Sequence, residues 1–274
     1  MKIKSFIIKG NSSAELPISC DYSYASSQSK LVIFCHGFKG FKDWGCWNLV
    51  AKHFVNEGFN FLKFNFSHNG TTLIKPMEIT DLKSFSENNY SIEVQDVDRV
   101  VKYLSTPEND FIFDELFMIG HSRGGGIACL ASQKNNISKL ITWAGVADFG
   151  ERFPENDELL LWKENKVKYI LNSRTGEKYP QKYQFYENFV MNKDVLNISN
   201  ALKEYKGNLL VCFAILDQVL PQEYAQRMSS QVKGSIIKSI RTNHTFGSKH
   251  PWNKDFLPTA LLELCNQTIS FLND

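Results

Sequence analysis

The chain has 274 residues, of which 43% are hydrophobic and 22% are charged, and it is long enough to bury a sizeable core. Its formal net charge is +2, with basic residues scattered among acidic ones, which argues against a dedicated nucleic-acid binder. No apolar run approaches the length that spans a membrane, and the alternating N-terminal residues lack a signal peptide's apolar core.

The cysteines indicate the redox setting. There are six, none forms a C-x-x-C pair, and Cys35, Cys129 and Cys212 lie inside apolar segments. Such cysteines are usually small buried hydrophobes, neither paired in disulfides nor bound to metal. We therefore expect a reducing compartment and a cytoplasmic protein that binds no metal.

Strands and helices alternate along the first part of the chain. A turn at 10–13 separates the first two strands, and a polar loop reaches about residue 89. Periodicity predicts strands at 3–9, 16–22, 31–35 and 60–66, and helices at about 44–56 and 91–104.

The alternation continues after residue 115 with one interruption. Strands are predicted at 116–119, 139–144, 209–216 and 235–240, and helices at 127–131, from near Pro221, and at 258–272. Residues 149–193 break the alternation, because they are rich in aromatic residues yet highly charged. We interpret this segment as a small cap, not a core element. Strands alternating with crossover helices predict a mainly parallel sheet, whose ligands bind at the carboxyl ends of the strands.

A G-x-S-x-G motif occupies residues 120–124, between the apolar run 116–119 and a helix rich in small residues. A serine in a sharp strand-to-helix turn needs neighbours without bulk two residues away on either side, which explains the glycines. The turn would raise the hydroxyl of Ser122 above the sheet as a nucleophile. A phosphate-binding role is weaker, because the run fits neither G-x-x-x-x-G-K-[ST] nor G-x-G-x-x-G.

Three further strand ends carry candidate residues. After the strand 31–35 comes His36-Gly37-Phe38, where the N–H of Phe38 could join that of Arg123 in an oxyanion hole, while His36 itself is better explained as structural. Asp217 follows the strand 209–216 and is favoured over Asp148 as the acid. His244 follows the strand 235–240 and is favoured over His250 as the base. Ser122, Asp217 and His244 thus occur in the order of the α/β-hydrolases.

These motifs together carry a family resemblance. Gly-His-Ser-Arg-Gly-Gly at 120–125, Asp-Gln-Val-Leu-Pro at 217–221 and His-Thr-Phe at 244–246 resemble the α/β-hydrolase superfamily, closest to bacterial cinnamoyl/feruloyl esterases and dienelactone hydrolase-like proteins. The likeness spans the chain from residue 31 to the last helix. It departs at Asn65-Phe66-Ser67-His68-Asn69-Gly70, where the family has a D-x-R-G-H-G-type turn, and in Ser122, where dienelactone hydrolases proper have cysteine.

The resemblance implies one α/β-hydrolase domain over residues 1–274, with a cap insertion at about 149–195 and no cofactor. We expect a serine hydrolase acting on a small-molecule ester through an acyl-enzyme, with no nucleic-acid or membrane partner. A peptidase or amidase of the same fold is the main alternative, although the sequence shows no site for a charged substrate terminus. An inactive binding protein is disfavoured, because all three triad residue types are present.

The cap is also expected to build the wall of the substrate pocket. Its aromatic residues supply apolar surface of the kind that lines pockets. Alanine at Trp162, Tyr169, Tyr183 or Phe189 is therefore predicted to change substrate preference.

Overall fold

The structure, a computed structural model, describes residues 1–10, 12, 15–25 and 29–274. The turn predicted at 10–13 includes Asn11 and Ser13, which lie outside the described residues. In the part of the chain that is described, no helix combines the length and the apolar character needed to span a membrane.

Ten strands and nine α-helices are formed by the described residues. The strands are β1 (Lys2–Ile8), β2 (Ile18–Tyr24), β3 (Lys30–Cys35), β4 (Asn60–Phe64), β5 (Glu115–His121), β6 (Lys139–Trp143), β7 (Val167–Leu171), β8 (Lys178–Lys182), β9 (Asn208–Ala214) and β10 (Ile236–Ile240). The helices are α1 (Trp47–Asn56), α2 (Leu82–Glu87), α3 (Tyr90–Leu104), α4 (Arg123–Ala131), α5 (Asn156–Asn165), α6 (Gln184–Met191), α7 (Ile198–Glu204), α8 (Glu223–Ser229) and α9 (Thr259–Asn273). Every strand predicted from the sequence is present, with its ends shifted by no more than two residues.

The main sheet has eight strands in the order β1-β2-β4-β3-β5-β6-β9-β10. The pairs β1–β2 and β2–β4 are antiparallel, and all the others are parallel. The carboxyl ends of β3, β4, β5, β6, β9 and β10 therefore meet along one edge, which brings the segments that follow them together.

The core has two parts, one on each face of the sheet. Along β3, Ile33 belongs to one hydrophobic cluster, whereas Val32 and Phe34 belong to the other. Because successive strand residues point to opposite faces, this alternation separates the two layers. Buried residues of α1 and α9 cover one face, and those of α3, α4, α7 and α8 cover the other.

Several helices differ from the sequence prediction, since α2, α5, α6 and α7 were not predicted and α4 begins early. The loop predicted to reach residue 89 contains α2, which begins where Asp81 accepts a hydrogen bond from the N–H of Ser84 and is anchored by buried Phe85. Helix α4 begins at Arg123, four residues earlier than its apolar run indicates. Three successive glycines, poor helix formers, hide this first turn from a periodicity analysis.

The cap segment, residues 149–195, contains α5, the antiparallel β7–β8 hairpin and α6. It is not separate from the core, contrary to the sequence-based interpretation. Phe149, Trp162, Tyr183 and Phe185 are buried in the same cluster as α3 and α4. The ring of Phe149 stacks on Tyr90 of α3 with centroids 3.8 Å apart. Large aromatic side chains gain most from such burial, which attaches the segment firmly to the sheet.

Candidate active site

Ser122 lies in the sharp turn between β5 and α4, with φ 56° and ψ −121°. The two flanking glycines allow this turn. A Cβ atom added to Gly120 would overlap the carbonyl oxygen of Gly124, and one added to Gly124 would overlap those of Cys35 and His36. The backbone is thus held in a conformation that L-residues rarely adopt, and the serine hydroxyl projects beyond the strand ends.

The structure brings Ser122, His244 and Asp217 into one hydrogen-bonded chain. Nε2 of His244 lies 2.9 Å from Oγ of Ser122, and Nδ1 of His244 lies 2.7 Å from Oδ2 of Asp217. An ionised carboxylate only accepts hydrogen bonds, so Nδ1 carries the proton and Nε2 is left to accept from the serine hydroxyl. The imidazole is therefore oriented as a general base requires.

Asp217 is fixed by its own loop. Its Oδ1 accepts hydrogen bonds from the N–H groups of Val219 at 2.7 Å and Leu220 at 3.1 Å. Burial raises the pKa of Asp217, but the hydrogen bond from His244 and those from the backbone outweigh it, and the net pKa is lowered. The carboxylate stays ionised and can stabilise a protonated imidazole.

The rival residues are engaged elsewhere. Asp148 accepts from the N–H of Gly150 at 2.7 Å and from Arg227 at 3.3 Å. Nδ1 of His250 accepts from the N–H of Gly45 at 3.0 Å. Their contacts give each a structural explanation.

The candidate oxyanion donors flank the serine. Arg123 is the first residue of α4, and a Cβ on Gly37 would lie 3.0 Å from Cβ of Ser122, which places the Phe38 loop directly against that serine. Among the described residues, the N–H groups of Phe38 and Arg123 have no hydrogen-bond partner. Two free N–H groups beside a nucleophile suit the stabilisation of a developing oxyanion.

His36 holds this loop from beneath. It is buried, its Nδ1–H donates to the carbonyl of Gly37 at 2.9 Å, and its Nε2 accepts from the N–H of Phe66 at 3.4 Å. Burial lowers the pKa of His36 to about 4, so it stays neutral. A structural role agrees with the sequence-based interpretation.

The turn 65–70 that departs from the family pattern also braces the loop. All six of its residues are buried. Oδ1 of Asn65 accepts from the N–H of Lys42 at 2.6 Å, and Nδ2 of Asn69 donates to the carbonyl of Gly40 at 3.2 Å. The two asparagines thus connect the end of β4 to the loop that carries Phe38.

Beneath that loop lies a buried cluster of two lysines and two aspartates. Lys42 contacts Asp21 at 2.5 Å and Asp43 at 2.6 Å. Lys63, whose side chain is 1% exposed, contacts Asp21 at 2.9 Å and also Asp43. The charges sum to zero, which is the condition under which buried ions are tolerated. Burial raises the pKa of Asp21, but the two lysines outweigh it and the net pKa is about 2.

His121, which precedes Ser122, positions the candidate base. Its Nε2–H donates to the carbonyl of His244 at 3.0 Å. Burial and the neighbouring His244 lower the pKa of His121 to about 3, so the ring remains a neutral donor. The sequence motif gave no indication of this contact.

A cavity of about 630 Å³ opens over Ser122 and His244. The cap forms one wall, as predicted, but through other residues than those named in advance. Trp162 and Tyr183 are buried in the core, Tyr169 is 63% exposed, and Phe189 does not line this cavity. The cap residues that do line it include Phe149, Phe153, Ile170, Gln181 and Phe185. In the described residues, no group of three or more His, Cys, Asp or Glu side chains is arranged to hold a metal ion.

Solved structures with the same architecture are found at low sequence identity. The chain resembles Est1E from Butyrivibrio proteoclasticus (16% identity, TM-score 0.68, covering 98% of this chain and 97% of that one). It also resembles the esterase domain of a Rhodothermus marinus protein (15% identity, TM-score 0.65, covering 99% of this chain and 98% of that one). A third similar structure is a dienelactone hydrolase from Anabaena variabilis (13% identity, TM-score 0.61, covering 99% of this chain and 96% of that one). No protein-family model matches the chain, and no curated protein sequence matches it significantly. These likenesses confirm the α/β-hydrolase fold predicted from the sequence.

Proposed function

We propose that the chain is a serine hydrolase that cleaves carboxylic esters through an acyl-enzyme. One observation carries the proposal, the hydrogen-bonded chain from Asp217 through His244 to Ser122 at the floor of the cavity. The esterase domain among its structural neighbours supports the same reaction class.

In the first half of the proposed reaction, Oγ of Ser122 attacks the ester carbonyl carbon while its proton passes to Nε2 of His244. The N–H groups of Phe38 and Arg123 donate to the oxygen that becomes negative. Collapse of the tetrahedral intermediate breaks the ester C–O bond, and the departing alcohol takes the proton from His244. Asp217 stabilises the imidazolium between the two transfers.

In the second half, His244 removes a proton from water, whose oxygen attacks the acyl carbonyl. The carboxylic acid leaves as Ser122 regains its proton. The chain's own groups are sufficient for every proton transfer in this sequence.

The test is hydrolysis of p-nitrophenyl acetate, butyrate, hexanoate and octanoate by the wild type, Ser122→Ala and Ser230→Ala. Ser230 is exposed on the far end of α8 and is the matched control. We expect turnover by the wild type and Ser230→Ala, and a loss of at least about 10⁴-fold in Ser122→Ala. Ester hydrolysis that survives Ser122→Ala would overturn the proposal.

The alternative, amide hydrolysis by the same residues, is tested by p-nitroanilides of the same acyl groups. Faster turnover of the anilides than of the esters would favour an amidase. A wild type inert toward both would favour a binding protein.

We also propose a reducing, cytoplasmic setting. All six cysteines are buried free thiols, which supports it. Titration of the denatured, freshly isolated protein should find six free thiols. Fewer than six would contradict a reducing setting.

A further inference from the structure

The side chains that line the cavity over Ser122 carry an excess of positive charge. Five cationic side chains line it, and none of its described lining residues is acidic. The five are Lys39, Arg123, Arg152, Lys168 and Arg174. The chain as a whole has 31 basic and 29 acidic residues, so composition does not explain this excess.

The β7–β8 hairpin directs part of this charge inward. Lys168 and Ile170 line the cavity, whereas their neighbours Tyr169 and Leu171 are exposed on the other face. Gln181, which pairs with Lys168 across the hairpin, lines the cavity as well. Strand alternation thus fixes Lys168 on the cavity side, where Nζ lies 4.1 Å from the centre of the Trp162 ring.

Lys39 connects the hairpin with the loop that carries Phe38. Its Nζ donates to the carbonyl of Leu171 at 3.3 Å, next to the turn that holds Arg174. Burial lowers the pKa of Lys39, and the positive charge of Arg123 lowers it further. When the surroundings of a lysine disfavour its charge, a bound anion stabilises the protonated form.

Four of the five cations lack a carboxylate partner among the described residues. Arg123 is paired with Glu93 at 3.2 Å. Lys39, Arg152, Lys168 and Arg174 form no ion pair with any carboxylate of the described residues. Burial also lowers the pKa of Lys168, and the charge of Glu158 opposes this only in part. Oε2 of Glu177, near Arg174, accepts instead from Thr175 and Tyr179.

We propose that this cavity binds an ester whose acyl or alcohol part carries a negatively charged group, a carboxylate or a phosphate, held by Lys39, Lys168 and Arg174. This inference rests on the proposed ester hydrolysis and names its substrate class. Charge-assisted hydrogen bonds from lysine and arginine are the usual means by which proteins bind both anions.

The first experiment compares three p-nitrophenyl esters with the same chain length. They are the adipate half-ester, the 5-phosphonopentanoate, and the methyl-capped adipate that lacks the charge. We expect kcat/KM for at least one anionic ester to exceed that of the neutral ester by about tenfold or more, and the ratio to fall toward 1 in about 1 M NaCl. The larger of the two anionic ratios distinguishes carboxylate from phosphate.

Variants locate the effect. Lys168→Gln and Arg174→Gln should each reduce the anionic-to-neutral ratio by about fivefold. Lys178→Gln is the matched control, because Lys178 pairs with outward-facing Leu171 on the same hairpin and does not line the cavity. It should leave the ratio unchanged. A wild-type ratio near 1, or a ratio that neither cavity variant lowers, would overturn the inference while leaving Ser122-dependent hydrolysis intact.

A binding measurement decides the inference even if no ester is hydrolysed. Adipate monoanilide and 5-phosphonopentananilide are titrated calorimetrically into Ser122→Ala protein. Binding of either that weakens about fivefold when Lys168→Gln is added, but not when Lys178→Gln is added, supports the anion site. Absence of binding by both, or binding that is indifferent to Lys168→Gln, would refute it.

Discussion

Nη1 of Arg123 donates to Oε1 of Glu93 across 3.2 Å, which ties the first residue of α4 to the buried face of α3. The same guanidinium lies 3.8 Å from the centre of the Phe38 ring. Both residues proposed as oxyanion donors are therefore in contact through side chains. Burial raises the pKa of Glu93, against the opposing effect of Arg123.

Glu93→Gln tests this ion pair. Removing one charge of a buried pair leaves the other uncompensated, so we expect a loss of roughly 3 kcal/mol in the free energy of unfolding, measured in urea. Glu87→Gln is the control, because its ion pair with Lys182 is exposed and should contribute less than about 1 kcal/mol. Equal effects of the two substitutions would contradict a stabilising role for the buried pair of Glu93 and Arg123.

Asp217→Asn should reduce kcat for ester hydrolysis by about 10³–10⁴-fold with little change in KM. An amide cannot hold the imidazole in the required tautomer or stabilise its charge. Asp148→Asn, at the rival acid, should change kcat by no more than a few-fold. Steady-state kinetics on p-nitrophenyl butyrate measure kcat for both variants. A larger loss in Asp148→Asn than in Asp217→Asn would mean that Asp148 is the catalytic acid.

Ile170→Ala and Tyr169→Ala separate the inner face of β7 from the outer one. Ile170 lines the cavity and Tyr169 does not, so only Ile170→Ala should shift the preference along the p-nitrophenyl ester series toward longer acyl chains. Trp162→Ala should instead lower the free energy of unfolding by about 3–5 kcal/mol, since Trp162 is 2% exposed. A selectivity shift in Tyr169→Ala equal to that in Ile170→Ala would show that the strand faces are misassigned.

The buried lysine–aspartate cluster predicts a loss of stability in acid. The pKa of Asp21 is lowered to about 2, so the folded state binds this proton less readily than the unfolded chain does. Its contribution is complete above about pH 4 and disappears as the pH falls toward 2, an effect of about 2 kcal/mol. Buried His36 and His121, with lowered pKa values, also destabilise the fold in acid, whereas Asp96, whose pKa burial raises to about 7, acts in the opposite direction.

Comparison with Asp21→Asn isolates the aspartate. The variant is less stable at pH 7, but between pH 4 and pH 2 the wild type should lose about 2 kcal/mol more than the variant in urea unfolding. Parallel curves for the two proteins would mean that Asp21 does not carry this pH dependence.

The positions of Ser122, Asp217 and His244 were accessible to sequence reasoning because each follows a strand. A parallel sheet brings such positions to one edge whatever the details of packing. The α/β-hydrolase fold was predictable for the same reason, since its central strands are short continuous apolar runs separated by helical segments.

Other features were not accessible, because they depend on contacts between distant segments. The pattern of α3 indicates an apolar stripe, yet Glu93 and Asp96 are buried beside it with Arg123, Ser67 and Arg99 as partners. The β7–β8 hairpin was missed because the side chains on its inner face include Lys168 and Gln181. A strand is usually recognised by apolar residues on its inward face, and here that face carries polar residues.

The positive φ of Ser122 bears on how this protein could be engineered. Glycine adopts that conformation without strain, so Ser122→Gly should fold more stably while losing the proposed nucleophile. Selection for heat resistance alone would therefore favour inactive molecules at this position. A library screened for thermal tolerance needs a second selection for turnover, or residue 122 must be held constant.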